Sequence, residues 1–330
     1  MTNQTTYFIQ LRPRGRFFFG GDRAFTATGE AVYSAESLYF PQQTALLGML
    51  RYTLLRQDPK AAIGNGFEHD AEAQNWGGIL ELSPIFLIDT LTQKKWLPLG
   101  MNFQQDPKSK EVVELKAPVD KKIENFNPKN GFLKNQWTNG TDVCSVEDFF
   151  TEIETVGNKK DRQGKSQIEG FFKQKAYCLK KRLNNKPVDF SFGFYASFKQ
   201  PQAFDKVPSV VLGIDQSTFS FSAKIEASPF NENQTPSGVK KLVLISDAYI
   251  PNYAELQAQC DFILGVSVPF RYMTPVKNNN YFTEKRRTNQ QFNLLARGTV
   301  IYPRDVDKVI NLLQSPTAFR QVGYNHFKIS

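Results

Sequence analysis

Residues 37–51 read SLYFPQQTALLGMLR, and this stretch decides how the first part of the chain folds. Pro41 suits a first helical turn, where its missing N–H costs little. Leu46, Leu47, Leu50 and Leu54 follow at helical spacing and supply one buried stripe. Thr44, Gly48 and Arg51 stand among them as small or cationic exceptions. The run just upstream, RPRGRFFFGGDR at 12–23, carries Arg12, Arg14, Arg16, Gly20, Gly21 and Arg23. Two readings stay open on these residues. A basic, glycine-containing loop before a helix start can cradle phosphate. The same pattern also describes an ordinary amphipathic helix after a surface loop.

Working outward, residues 6–11 read as a first strand and 42–57 as the helix after it. Residues 78–89 read as a strand pair, or one bent strand, interrupted by Pro84. The polar stretch 100–140 reads as long loops. Ser145 and Asp148 have the spacing of a capping box and open a helix. The basic segment 157–165 reads as a mobile loop. Apolar and polar residues alternate along 190–198 and 219–226, which predicts half-buried antiparallel strands. Residues 242–245 and 292–302 add strands. Val306, Val309, Ile310 and Leu313 mark a helix, and 324–329 a last strand. Strand, helix, strands, helix, strand is the order of a split βαβ unit. The expected fold class is therefore α+β, with two ferredoxin-like (RRM-like) domains and large loop insertions. The expected division is 1–205 and 206–330.

The chain has 330 residues, 40% hydrophobic and 22% charged, in the ordinary range for a globular protein. Its 29 Phe fall largely in alternating patterns, so core is the expected place for most of them. Lys and Arg exceed Asp and Glu by nine, a balance that suits a polyanionic partner. Cys144, Cys178 and Cys260 are far apart and odd in number, which argues against a disulfide framework or a thiolate zinc site. No signal peptide and no 18-residue apolar run is evident, so a cytoplasmic protein without a membrane partner is expected.

Enzyme motifs are incomplete. Gly164-Lys165-Ser166 ends like a P-loop, but six residues separate Gly157 from Gly164 where the motif has four. His69 lies in an acidic loop and reads as solvated. Asp22, Asp215 and Asp247 are scattered. No metal, cofactor or small-molecule substrate is expected. Three basic regions could share one surface: Arg12 to Arg23; Lys277, Lys285, Arg286, Arg287 and Arg297; and Arg320. Tyr272, Tyr281, Phe282 and Tyr324 lie among the later two. Cations with interleaved aromatics suit single-stranded RNA, or else cover a solvated face with tyrosines capping a core.

Several blocks together resemble a known family. Residues 37–51 are similar to the first-helix signature of the RAMP superfamily of CRISPR systems. Further matches, in the family's order, are GILELSPIFLI (78–88) with WLPL (96–99), LGID (212–215), LLARGTVIY (294–302) and Gly323-Tyr324-Asn325. Within the superfamily the chain resembles the third-subunit family of type III-B Cmr complexes. Two blocks depart from it: Pro269-Phe270-Arg271-Tyr272 stands where a Gly-Trp is usual, and the closing loop has the single Gly323. The resemblance implies two RAMP domains and a non-catalytic subunit that caps the 5′ handle of the crRNA. It implies as partners the large polymerase-like subunit, the first backbone subunit, and target RNA near the handle-proximal end of the guide. Arg14, Arg16, Arg23, Arg51 and Arg320 are then candidates for phosphate, and Tyr324, Asn325 and His326 for base stacking or edge contacts. Gly20, Gly21, Thr44, Gly48, Lys277, Arg286, Arg287, Arg297 and Gly323 complete the candidate RNA-binding set. Two alternatives remain. One is a superfamily endoribonuclease with His326 as acid or base, the other a scaffold that touches protein alone.

Overall fold

The computed structural model describes residues 4–20, 34–58, 66–70, 74–106, 108–109, 111–116, 123, 126–160, 166–213, 215–230, 239–276, 284–288 and 290–329. The alternating segments build one antiparallel sheet of nine strands. Thr5–Pro13 lies between Phe190–Phe198 and Ser217–Ile225. Beyond Phe190–Phe198 come Phe86–Asp89, Lys94–Pro98, Gln136–Thr138 and Val143–Ser145, and Ile79–Leu82 pairs with the same central strand. The 78–89 segment is thus two short strands laid end to end along one edge of Phe190–Phe198 and interrupted around Pro84, not two strands paired with each other.

All nine residues of Phe190–Phe198 are buried, so the half-burial expected from its alternation is corrected. Both faces are covered. Phe192 meets Phe17 and Phe40 on one side, while Tyr195 meets Phe86 and Phe230 on the other. Ser217–Ile225 keeps the half-buried pattern over its first residues. Because Ser209–Leu212 and Ser217–Ile225 both belong to this sheet, the division expected at 205/206 falls inside it.

Helix Gln43–Gln57 packs Leu46, Leu47, Leu50 and Leu54 into the sheet's core. The expected loop at 157–165 is corrected. Phe150–Lys160 and Ser166–Leu179 pair as a long antiparallel ribbon, with Ser34–Glu36 added in parallel to its second strand. Residues 161–165 lie outside the described residues. The 100–140 stretch carries short strands, Phe103–Gln105 with Val112–Glu114, besides Gln136–Thr138. The Ser145 capping box is present, over a single 3₁₀ turn at Val146–Phe149.

The last third forms a four-stranded antiparallel sheet in the order Cys260–Leu264, Val300–Pro303, Leu242–Leu244, Phe327–Ile329. Helix Tyr253–Ala258 connects its first two strands in sequence, and Val306–Gln314 its last two. Asp305 caps Val306–Gln314 by accepting from Lys308 N–H. Leu256, Val309 and Leu313 meet Leu242, Leu244 and Ile301 in a fully buried layer. The single strand expected at 292–302 is two, Phe292–Leu295 and Val300–Pro303, in different sheets.

Phe270, Tyr272, Phe292, Phe319 and Tyr324 pack into the same apolar cluster as the first helix. The two parts of the chain share a core. Among the described residues, no helix is long and apolar enough to cross a membrane.

Candidate nucleic-acid interface

Three separated stretches converge at the start of helix Gln43–Gln57. The basic run docks first: Phe19 N–H donates to Ser37 Oγ at 2.9 Å, and Leu38 N–H to the Gly20 carbonyl at 3.3 Å. The closing loop docks next. Gln43 Nε2 donates to the carbonyls of Ser83 and Gly323, each at 2.9 Å. Gly323 has φ +99°, and a Cβ there would lie 1.9 Å from Gln43 Nε2 and 2.6 Å from the Ser83 carbonyl. Only glycine fits this contact. Gln42 offers the helix no side-chain cap. The Tyr324 phenol lies at this helix start, where the Gln43 backbone and the Thr44 side chain act to lower its pKa against the larger rise from burial.

Several candidates face inward, which corrects their expected roles. Tyr324 is buried, and its pKa is raised first by burial and then by the Asp247 carboxylate. Asn325, at φ +59°, is fully buried. Its amide accepts from Tyr249 N–H and donates to the carbonyls of Tyr249 and Leu313. No edge is left for a base. His326 is buried with Nε2 3.3 Å from the Arg320 carbonyl, and burial pulls its pKa down to about 4. Arg297 forms a two-point pair with Asp247 at 3.2 and 3.1 Å and stacks over Phe40, 5.3 Å from the ring centroid. Burial disfavours its charge, the Asp247 carboxylate outweighs that, and its pKa rises. This arginine ties the last third of the chain to Phe40, just before the first helix. His69, expected in solvent, is also corrected: Nδ1 lies 2.9 Å from the Tyr272 hydroxyl and the ring meets Phe292.

Other candidates face outward. Arg14 is exposed, with Nε on Ser220 Oγ at 3.1 Å, and Arg16 is exposed, with a nitrogen on Thr155 Oγ1 at 2.5 Å. Both partners are neutral hydroxyls, and among the described residues neither arginine pairs with a carboxylate. Arg12 does, with Asp189 at 2.6 Å. Alternate residues at the end of strand Thr5–Pro13 and just beyond it therefore present cations between the nine-stranded sheet and the ribbon. Gly48 is exposed on the first helix, whereas Arg51 is half-buried and its pKa is lowered by burial. Arg320 is half-buried on Thr317–Gln321. Arg286 and Arg287 lie in strand Glu284–Arg287, paired with Met273–Val276. Gly21, Arg23 and Lys277 lie outside the described residues.

Residue patterns did not single out Gln43, Ser83 or Asp247. A glutamine in a first turn and an isolated aspartate carry no motif; their roles exist only through partners 40 to 280 residues away in sequence. Among the described residues no group of three or more His, Cys, Asp or Glu is disposed to hold a metal ion. A cavity of about 500 Å³ beside Tyr249, Tyr253, Phe292 and Asn293 has no charged lining residue and offers a phosphate no counterion.

The fold and this docking define a strand-rich protein of mixed α and β structure, built mainly on antiparallel sheets, whose closing loop packs against the start of its first helix. Across 98% of its length the chain superposes on 96% of a chain from the "Cryo-EM structure of the Type III-B Cmr-beta bound to cognate target RNA", with TM-score 0.54 and 12% identity. A chain from that complex "bound to cognate target RNA and AMPPnP, state 1" is similar over 98% and 95% of the two lengths, with TM-score 0.49 and 12% identity. No curated protein sequence matches the chain. Residues 9–329 match the family model described as CRISPR-associated protein (Cas_Cmr3). The chain belongs to the Cas_Cmr3 family.

Proposed function

We propose that the protein is a non-catalytic, crRNA-binding subunit of a type III-B CRISPR effector, holding the 5′ handle. In this reading it bridges the large polymerase-like subunit to the first backbone subunit and lies near the handle-proximal end of the guide–target pairing. It works in the cytoplasm, without cofactor, membrane or small-molecule substrate. The family match over 9–329 carries the reading. The fold reads as two ferredoxin-like RAMP domains. The second has the strand order given above for the last third, and the division falls between 226 and 239, after the nine-stranded sheet ends. The uncompensated Arg14 and Arg16 are the first phosphate contacts in this reading, with Arg23, Arg51, Lys277, Arg286, Arg287 and Arg320 as further candidates.

The endoribonuclease alternative fits less well. Its acid or base would be His326, which is buried, neutral near pH 7 and held against a backbone carbonyl. The test is RNA affinity across a salt series. Arg14→Ala with Arg16→Ala should weaken binding of a handle-containing RNA and flatten the log–log salt slope by about 1.4, from roughly 0.7 per lost single-strand contact. An unchanged slope removes these arginines from the site, and specific cleavage lost on His326→Ala overturns the non-catalytic reading.

A further inference from the structure

Helix Gln43–Gln57 is apolar on two sides. Its inner side carries the core leucines. Its outer side carries a second row at steps of three and four: Ala45, Gly48, Tyr52 and Leu55, all exposed. Tyr52 is 54% and Leu55 45% exposed. A helix apolar all round is ordinarily covered all round.

Gly48 sharpens this. Glycine in a helix interior is less stable than alanine. Among the described residues nothing asks for it: a Cβ built at Gly48 meets no heavy atom within 4 Å. The smallness of this position serves something that approaches from outside. Arg51 borders the row on one side and Arg56 on the other, and the helix contains no carboxylate.

We propose that this face docks an α-helical segment of a partner protein in the effector assembly, its apolar seam on Ala45, Gly48, Tyr52 and Leu55 and a carboxylate beside the exposed Arg56. The inference rests on the reading of the chain as a subunit of such an assembly. Small residues in the middle of a ridge let a second helix axis come close, and the bulkier Tyr52 and Leu55 then interdigitate with it. A nucleic-acid strand is the poorer occupant. The centre of the row holds no cation for phosphate, and Ala45 and Leu55 offer a base neither stacking nor hydrogen bonds.

The test uses the full chain co-expressed with the other subunits of its complex and crRNA. Gly48→Leu should lower recovery of one protein subunit at least about tenfold, as expected for a central interface position. Tyr52→Ala with Leu55→Ser, which removes only exposed side chains, should act in the same direction. The salt-dependent RNA affinity of the isolated chain carrying Tyr52→Ala with Leu55→Ser, two residues outside the candidate RNA-binding set, should stay unchanged. Gly48→Ala should raise the Tm of the isolated chain by about 1–2 °C. A benzoylphenylalanine photocrosslinker at Tyr52 should attach to a helix of that subunit rich in Asp or Glu. Crosslinking to RNA instead, or assembly of Gly48→Leu and the double variant at wild-type levels, overturns the docking surface alone. Failure of the wild-type chain to join the other subunits overturns the functional reading beneath it.

Discussion

His326 and Asn325 show how far a residue's chemistry depends on what surrounds it. An imidazole and an amide beside a glycine, near the end of a basic chain, suggest contacts to a base. Folding spends both side chains on carbonyls and N–H groups of the chain itself. His326 then carries a consequence for stability. Its unfolded pKa is about 6.5 and its folded value is depressed. Below about pH 6.5 the unfolded chain binds more protons than the folded one, so stability present above that pH is lost as pH falls toward the folded pKa of about 4. Between pH 7 and pH 4.5 the wild type should lose about 2–3 kcal/mol more than His326→Gln. Urea unfolding at both pH values checks this, and identical pH profiles for the two proteins would refute it.

At the scale of elements, the first helix was legible from residues 37–51 to within a residue at its start, because its leucine spacing answers to one periodicity. What meets that start was not. The Gln43 backbone and the Thr44 hydroxyl at its start meet Tyr324, from the other end of the chain. The ribbon at Phe150–Lys160 and Ser166–Leu179 was equally hidden: only its base, through Phe150 and Tyr177, enters the core, while charged residues with cross-strand ion pairs such as Lys173–Glu154 at 2.7 Å line the stretch beyond. The Arg297–Asp247 pair holds the guanidinium that stacks over Phe40, just before the helix start. Arg297→Met leaves Asp247 partly buried without its partner and should lower stability by about 2–3 kcal/mol. Most of that loss should be recovered in the double variant Arg297→Met with Asp247→Leu, measured by chemical denaturation. No recovery would mean that Arg297 acts through its packing on Phe40 and not through charge.

For the whole molecule, the shared aromatic core predicts how the parts unfold. Phe67 meets Tyr272 and Phe319, and Tyr324 reaches Thr44, so separating the last third exposes large apolar surface on both sides. Calorimetry should show one cooperative transition for the full chain; two resolved transitions would contradict a shared core. The sequence by itself determined the strand-rich α+β character, the position of the first helix, the burial of the phenylalanines, the basic charge and, through short blocks in a common order, the family. Each of these rests on local periodicity, composition or order along the chain. Only the tertiary structure decided which basic and polar residues remain available to a partner. Arg297, Tyr324, Asn325 and His326 are consumed by contacts across 6 to about 280 residues, whereas Arg14, Arg16 and the outer row of the first helix stay exposed. Burial and pairing are set by what the fold brings alongside, and no spacing in the sequence encodes that.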